Sequence, residues 1–183
     1  MKTQFKIITA GALTCCLVAF LMGFTSDRGA KSSFVETTIP MWQMAKMHTL
    51  EVLDAMPEDK FSYKPTEVSK SFGSQMVHIG YTLKYFKHGM IENDRIEYKE
   101  PDASTMSKDE IRALIEEGFD SYIEAVNKLS DEDLRVELPF GPEKKITRAQ
   151  SIIFAHDHVT NHRAKANLYI RMNEMDPPGY KFI

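Results

Sequence analysis

Apolar residues recur at helical spacing in four long segments of the chain after about residue 34. Within each segment they follow steps of three and four residues, which place them on one face of an α-helix. Two of the helices start with capping boxes, Ser107 with Glu110 and Thr147 with Gln150, and the first ends at Pro57. The predicted helices cover residues 34–57, 71–93, 107–130 and 147–174.

The segments between these helices are rich in proline, glycine and short polar residues, which favour turns and loops. The third connection, residues 131–146, is the longest, and a short pair of strands is a further prediction for it. Four amphipathic helices with one long connection are typical of a helical bundle. The chain is therefore predicted to be all-α, with a four-helix bundle over residues 34–180. An unrelated all-α domain with the same number of helices is the alternative.

Residues 1–30 have a different pattern. Lys2 and Lys6 precede an almost continuous apolar run from Ile7 to Phe24, and small and polar residues follow. This order is typical of a secretory signal peptide. The apolar run is also just long enough to cross a bilayer as an uncleaved anchor helix. The sequence therefore predicts a protein that is exported, either periplasmic or secreted, or one that this segment anchors in a membrane.

Composition narrows the function. The formal net charge is −3 and the sequence pI is about 6.1, so the chain lacks the basic surplus that phosphate contacts need, and nucleic acid is not an expected partner. Both cysteines, Cys15 and Cys16, lie in the N-terminal segment. A mature chain without that segment would have neither a disulfide nor a thiol. Its chemistry would then depend on histidine, carboxylate, tyrosine or serine side chains.

Three of the six histidines lie in the stretch FAHDHVTNHRAK, residues 154–165, on the last predicted helix. His158 and His162 are one turn apart on its apolar face, whereas His156 lies about 160° away around the helix axis. Two inward imidazoles at this spacing can direct their nitrogens to one metal ion. Two core histidines that bond to carbonyls or hydroxyls are the alternative interpretation.

A third ligand would have to come from another helix. His78 flanks the apolar stripe of the second helix, and His48 lies within the stripe of the first, so both fit the pattern. His88 lies near a polar helix end and is predicted to be solvated. We therefore expect His88 and His156 to be dispensable for metal binding.

The chain resembles the DinB/YfiT superfamily of four-helix bundles over about residues 34–180. The matching stretches are FSYKP before the second helix, FGSQMVHIGYTLKYF within it, TRAQSIIFAHDHVTNHRAK in the last helix, and DPPGY after it. The resemblance implies metal-ligand roles for His78, His158 and His162, and it favours His78 over His48. The family often has Arg-Gly-Gln after the last histidine, whereas here Arg163 is followed by Ala164 and Lys165.

Three imidazole ligands leave a divalent ion an open coordination position, as in catalytic sites. All-nitrogen ligation suits zinc, nickel or iron, and the residues do not distinguish among them. The sequence thus predicts a metal-dependent hydrolase- or transferase-type enzyme that acts on a small molecule, and the alternative is a non-catalytic metal- or ligand-binding module. Tyr81, Tyr85, Asp157 and Tyr169 are candidate supporting groups. A homodimer is left open as the assembly.

The resemblance also implies a candidate thiol-dependent activity, because characterised members of the superfamily include isomerases and transferases that use a low-molecular-weight thiol. Such thiols are mainly cytosolic, so the predicted export counts against that activity and favours hydrolysis or simple metal retention.

Overall fold

The computed structural model describes residues 32–94 and 96–181. The predicted signal or anchor segment, residues 1–30, lies outside the described residues. Among the residues that are described, no helix is both long and apolar enough to cross a membrane.

The described chain is mostly helical, with four long α-helices, one short α-helix, two 3-10 turns at Glu58–Lys60 and Ala103–Thr105, and one small strand pair. A π-helical turn, Lys87–Glu92, extends the second helix. The predicted positions of the four long helices are confirmed, with ends that differ by up to seven residues. The elements are α1 Ser33–Ala55, α2 Phe72–Phe86, α3 Lys108–Val126, α4 Asp131–Arg135, β1 Glu137–Pro139, β2 Lys145–Thr147 and α5 Arg148–Met172.

The long third connection contains both α4 and the predicted strand pair. β1 and β2 are antiparallel, with Leu138 opposite Ile146. The five-residue helix α4 was not predicted, although its capping box, formed by Ser130 and Asp133, was visible in the sequence. One turn of helix is too short to show an apolar period, which is why the pattern missed it.

The four long helices surround a single apolar core. α1 and α2 each pack against both α3 and α5, so the last helix lies between the first two. The largest fully buried side chains include Trp42, Phe72, Phe119 and Tyr122. This arrangement gives α5 two inward-facing sides, one toward α2 and one toward α1.

Two glycines allow α2 and α3 to cross at close range. A Cβ atom at Gly80 would lie 2.8 Å from the carbonyl oxygen of Leu114, and a Cβ atom at Gly118 would collide with the backbone of Gly80. Because backbone atoms cannot turn aside as a side chain can, the crossing requires residues without a Cβ. The close crossing fixes the position of α2, which begins at the N-cap Ser71 and carries His78.

Candidate metal centre

Three histidines meet between α2 and α5. The capping box of Thr147 and Gln150 sets the start of α5, and His158 and His162 follow on adjacent turns of that helix. His162 is buried, and His158 and His78 are half-buried. The predicted orientation of the α5 pair is confirmed, and the third member of the group comes from α2 rather than from α1.

The imidazoles of this group, called here the histidine cluster (His78, His158 and His162), are close enough to share one ion. One nitrogen from each ring lies within 4.8 Å of the other two. The ring centroids are 5.1 Å apart for His78 and His158, 4.3 Å for His78 and His162, and 4.5 Å for His158 and His162. Ligand nitrogens about 2.1 Å from a tetrahedral ion would be roughly 3.4 Å apart, so small ring tilts are sufficient to close the site.

Gln75 orients the ring of His162. The Nδ1–H of His162 donates to the side-chain oxygen of Gln75 at 2.6 Å. The amide nitrogen of Gln75 in turn donates to the hydroxyl of Tyr169 at 3.4 Å. This bond turns the oxygen of the amide, rather than its nitrogen, toward the imidazole. With Nδ1 protonated, the lone pair of His162 is on Nε2, where it is available to a metal.

Glu100 orients His78 in the same way. The Nδ1–H of His78 donates to Oε2 of Glu100 at 2.5 Å, and Lys70 donates to the other carboxylate oxygen at 3.0 Å. The hydroxyl of Tyr98 also donates to Oε2. Burial raises the pKa of Glu100, but hydrogen bonds from Tyr98, His78 and Lys70 outweigh it and hold the pKa below its ordinary value. Glu100 is therefore an ionised acceptor that leaves Nε2 of His78 free for a ligand role.

Tyrosines of α2 hold the segment that carries Glu100. The ring of Tyr98 lies edge-on to Tyr81 and Tyr85, with centroids 5.0 and 5.2 Å away. The hydroxyl of Tyr81 also accepts the backbone N–H of Lys99. These contacts place an otherwise irregular segment against α2, so that the carboxylate of Glu100 reaches the histidine cluster.

His158 has a buried imidazole nitrogen that fits a metal-ligand role. Its Nε2 is buried and has no hydrogen-bond partner among the described residues. Phe86 and Phe154 cover the ring, with centroids 5.1 and 6.1 Å away. A buried imidazole nitrogen without a partner is costly, and a metal ion at the centre of the cluster would satisfy it.

Burial keeps both α5 histidines of the cluster neutral at neutral pH. It lowers the pKa of His158 to about 4, and His78 and Lys165 add to the effect. Burial likewise lowers the pKa of His162 to about 3, with further contributions from His78 and His158. The ordinary value near 6.5 that the sequence suggests therefore does not apply to these two imidazoles, which are in the form that ligates a metal.

The other three histidines lie outside the cluster. His48 is buried on α1, and His156 packs edge-on against Trp42 with ring centroids 5.1 Å apart. The prediction that His156 faces away is confirmed, and the group of three contains His78 rather than His48. The metal-ligand roles of these histidines stay a prediction. The prediction that His88 is solvated is wrong, because the ring is half-buried and lies 3.1 Å from a carboxylate oxygen of Glu92.

Three of the four predicted supporting groups contact the cluster only indirectly. Tyr169 reaches His162 through Gln75, and Tyr81 and Tyr85 reach Glu100 through the neighbouring segment. The direct partners, Gln75 and Glu100, were missed. Gln75 is three residues before His78, one turn away on the same face of α2, and this spacing was the one sequence signal that could have found it.

Comparison with known proteins agrees with the architecture. The family model described as the DinB superfamily matches residues 41–166, which is more than half of the chain and includes the whole histidine cluster. The chain belongs to the DinB superfamily. A comparison with curated proteins finds no match.

Crystal structures of DinB-like proteins from two bacilli share this fold. The protein from Bacillus subtilis is 20% identical, with a TM-score of 0.63 over 79% of this chain and 98% of its own. The protein from Bacillus cereus ATCC 10987 is 17% identical, with a TM-score of 0.67 over 80% of this chain and 97% of its own. At these identities the likeness to the DinB-like structures supports the fold alone, and the chemistry has to be inferred from the residues of the site.

Proposed function

We propose that the protein binds one divalent metal ion through the Nε2 atoms of His78, His158 and His162. The observation that carries this proposal is the convergence of three imidazoles, two of which have Nδ1 engaged by an outer acceptor. The buried, partnerless Nε2 of His158 supports it independently. Metal-binding histidines characteristically use their second nitrogen to bond a carboxylate or amide in this way.

The ligand set suits zinc, nickel or iron(II). Three neutral nitrogens and no thiolate favour ions of borderline softness over calcium or magnesium, which prefer oxygen ligands. Three ligands from the protein also leave a coordination position open. The side chains of His78 and Glu100 retain 12% and 14% exposure, so one edge of the cluster faces solvent. We infer that a small molecule approaches from that edge.

The best-supported activity is a metal-dependent reaction of the hydrolase or transferase type on a small-molecule substrate. When bound, the ion would supply a Lewis acid that polarises a carbonyl or activates an incoming nucleophile. The chain supplies orientation, because Gln75 and Glu100 hold the rings, and it excludes water on the inner side through Phe86 and Phe154.

One observation favours the alternative, a non-catalytic metal- or ligand-binding module. Glu100, the carboxylate in contact with the cluster, already accepts hydrogen bonds from His78, Tyr98 and Lys70. A carboxylate engaged by three donors is poorly placed to take a proton from a substrate. Assay of a panel of ester, amide and thiol-transfer substrates with the metal-loaded protein separates the two proposals, since only the enzyme turns substrate over.

We also propose export, either to the periplasm or the medium or with the N-terminal segment as a membrane anchor. The support is the order of charged, apolar and small residues in 1–30. Cell fractionation tests it, and a full-length chain that begins at Met1 and is found in the cytosol would contradict it.

Metal analysis of the purified full chain tests the main proposal. Wild type should hold about one divalent ion per chain, and His158→Ala should hold far less at the same free-metal concentration. His156→Ala is the matched control, since it removes an imidazole two residues away on the same helix. Equal metal content in wild type and His158→Ala, with both folded by circular dichroism, would reject the site.

A further inference from the structure

A second feature lies on the other inward side of α5, where that helix faces α1. A cleft of about 720 Å³ is lined largely by apolar side chains, among them Phe34, Trp42 and Ile152. A smaller pocket of about 110 Å³ adjoins it and shares the lining residues His156 and Arg163. The two together, called here the α1/α5 cleft, have an apolar body and a polar end, and their combined size is typical of small-molecule sites.

The polar end contains a buried cation, the guanidinium of Arg163. Arg163 is 9% exposed, and its Nη1 donates to the backbone carbonyl of Ala45 at 3.3 Å. Among the described residues, no carboxylate oxygen lies within 4.0 Å of this guanidinium. A guanidinium remains charged at any ordinary pH. A buried charge that is not neutralised is costly, and an anionic ligand would offset that cost.

A second buried group at the same end also lacks a partner. His48 is 4% exposed, and its Nε2 is buried without a hydrogen-bond partner among the described residues. His48 and Arg163 line the same small pocket. The nearby carboxylate of Glu51 pairs with Lys181 through Oε1 at 3.0 Å, and its Oε2 is buried without a hydrogen-bond partner among the described residues. Neither oxygen lies within 4.0 Å of the guanidinium of Arg163. Two side chains that are nine-tenths buried thus present polar atoms to one unfilled space.

We propose that the α1/α5 cleft binds a small organic acid, with its carboxylate at Arg163 and His48 and its apolar body along Trp42 and Ile152. This inference goes beyond the proposed metal chemistry and does not depend on it, because the cleft lies between α5 and α1 and the histidine cluster lies between α5 and α2. A carboxylate matches the fork of a guanidinium, which donates two parallel hydrogen bonds. Asp157 also lines the cleft, and its charge disfavours ligands that carry a second negative charge.

Binding of decanoate and of decanol to the full-length protein, measured by calorimetry, tests the proposal. The two probes share an apolar body and differ in the charge of the head group. Decanoate should bind at least about tenfold more tightly, because a hydrogen-bonded carboxylate at a buried guanidinium is worth that much or more. Equal affinity for the two probes, or no saturable binding of decanoate, would overturn the proposal.

Substitutions test the polar end and the apolar body of the α1/α5 cleft separately. Arg163→Gln should remove the preference for decanoate over decanol while leaving decanol affinity nearly unchanged. Ile153→Glu, at a 58% exposed position that lines the apolar body, should weaken both probes without disturbing the core. Leu168→Glu is the matched control, since Leu168 is 52% exposed on the same helix and lies outside the residues that line the cleft. If Arg163→Gln proves unstable, the comparison of Ile153→Glu with Leu168→Glu still tests the proposal. Equal decanoate affinity in those two variants would contradict binding in the α1/α5 cleft.

Discussion

The two inward sides of α5 both carry histidine, yet they differ in how those histidines are held. Toward α2, the imidazoles of His78 and His162 each donate to an outer acceptor, and the cluster converges on one point. Toward α1, Nε2 of His48 has no hydrogen-bond partner among the described residues, and the buried guanidinium of Arg163 lines the same pocket. The first arrangement presents lone pairs and suits a cation, and the second presents donors and positive charge and suits an anion.

The contrast shows that histidine spacing alone does not define a metal site. His156 and His158 are two residues apart on one helix, but only one of them belongs to the cluster. What separates them is the side of α5 that each ring faces, because His158 packs against His78 of α2 whereas His156 packs against Trp42 of α1.

The largest expected effect comes from removing one of the three proposed metal ligands. His162→Ala should weaken metal affinity by more than about 100-fold, since loss of a direct ligand costs more than loss of its outer partner. Metal titration of the folded protein measures this effect. His156→Ala should retain near-wild-type affinity, and a comparable loss in that variant would erase the distinction between the two sides of α5.

A smaller loss of metal affinity is expected when the acceptor that orients His78 is replaced. Glu100→Gln should weaken metal affinity by about tenfold, because the amide keeps the shape of the side chain but lowers the basicity of the imidazole. Glu97→Gln is the control, at an exposed position in the same segment whose carboxylate pairs with Lys99. Competition with a chelator measures both variants, and identical affinities would show that Glu100 does not support the cluster.

A substitution at the α2–α3 crossing should lower the stability of the protein and should affect the two inward sides of α5 differently. Gly118→Ala should lower the free energy of unfolding by about 1–3 kcal/mol, because its methyl group would meet the backbone of Gly80. Gly89→Ala is the control, since a Cβ there meets nothing within 4 Å. Chemical denaturation gives the free energies. Metal affinity should fall in Gly118→Ala because α2 shifts, while decanoate affinity in the α1/α5 cleft stays near wild type.

The smallest expected effect is a pH dependence of the metal-free chain. His158 and His162 have folded-state pKa values of about 4 and 3, well below the ordinary 6.5 of the unfolded chain. Between these values the unfolded state binds more protons, so stability is greatest above pH 6.5 and decreases as the pH falls toward 4. The loss should be about 1 kcal/mol between pH 7 and pH 5.5, allowing for solvent screening. Denaturation at both pH values should show that the free energy of unfolding depends less on pH in His158→Gln than in wild type. An unchanged dependence would show that His158 does not cause it.

The local pattern of the sequence determined most of the secondary structure. The apolar stripes and the capping boxes at Ser107 and Thr147 predicted the long helices, because helical period and capping act within a few residues. The same period predicted that His158 and His162 share a face and that His156 does not. The resemblance to a family, carried by motif order along the whole chain, then favoured His78 as the third histidine.

Only the tertiary structure decided what holds those histidines and what lies behind them. Glu100 is 22 residues from His78 and Gln75 is 87 residues from His162, so no local period links them. Whether His48 or His78 meets the α5 pair depends on which side of α5 each helix packs against, and that order is set by long-range burial of the core. The guanidinium of Arg163 is likewise buried only because α1 covers it, since a side chain loses contact with water through packing between helices that are distant in sequence.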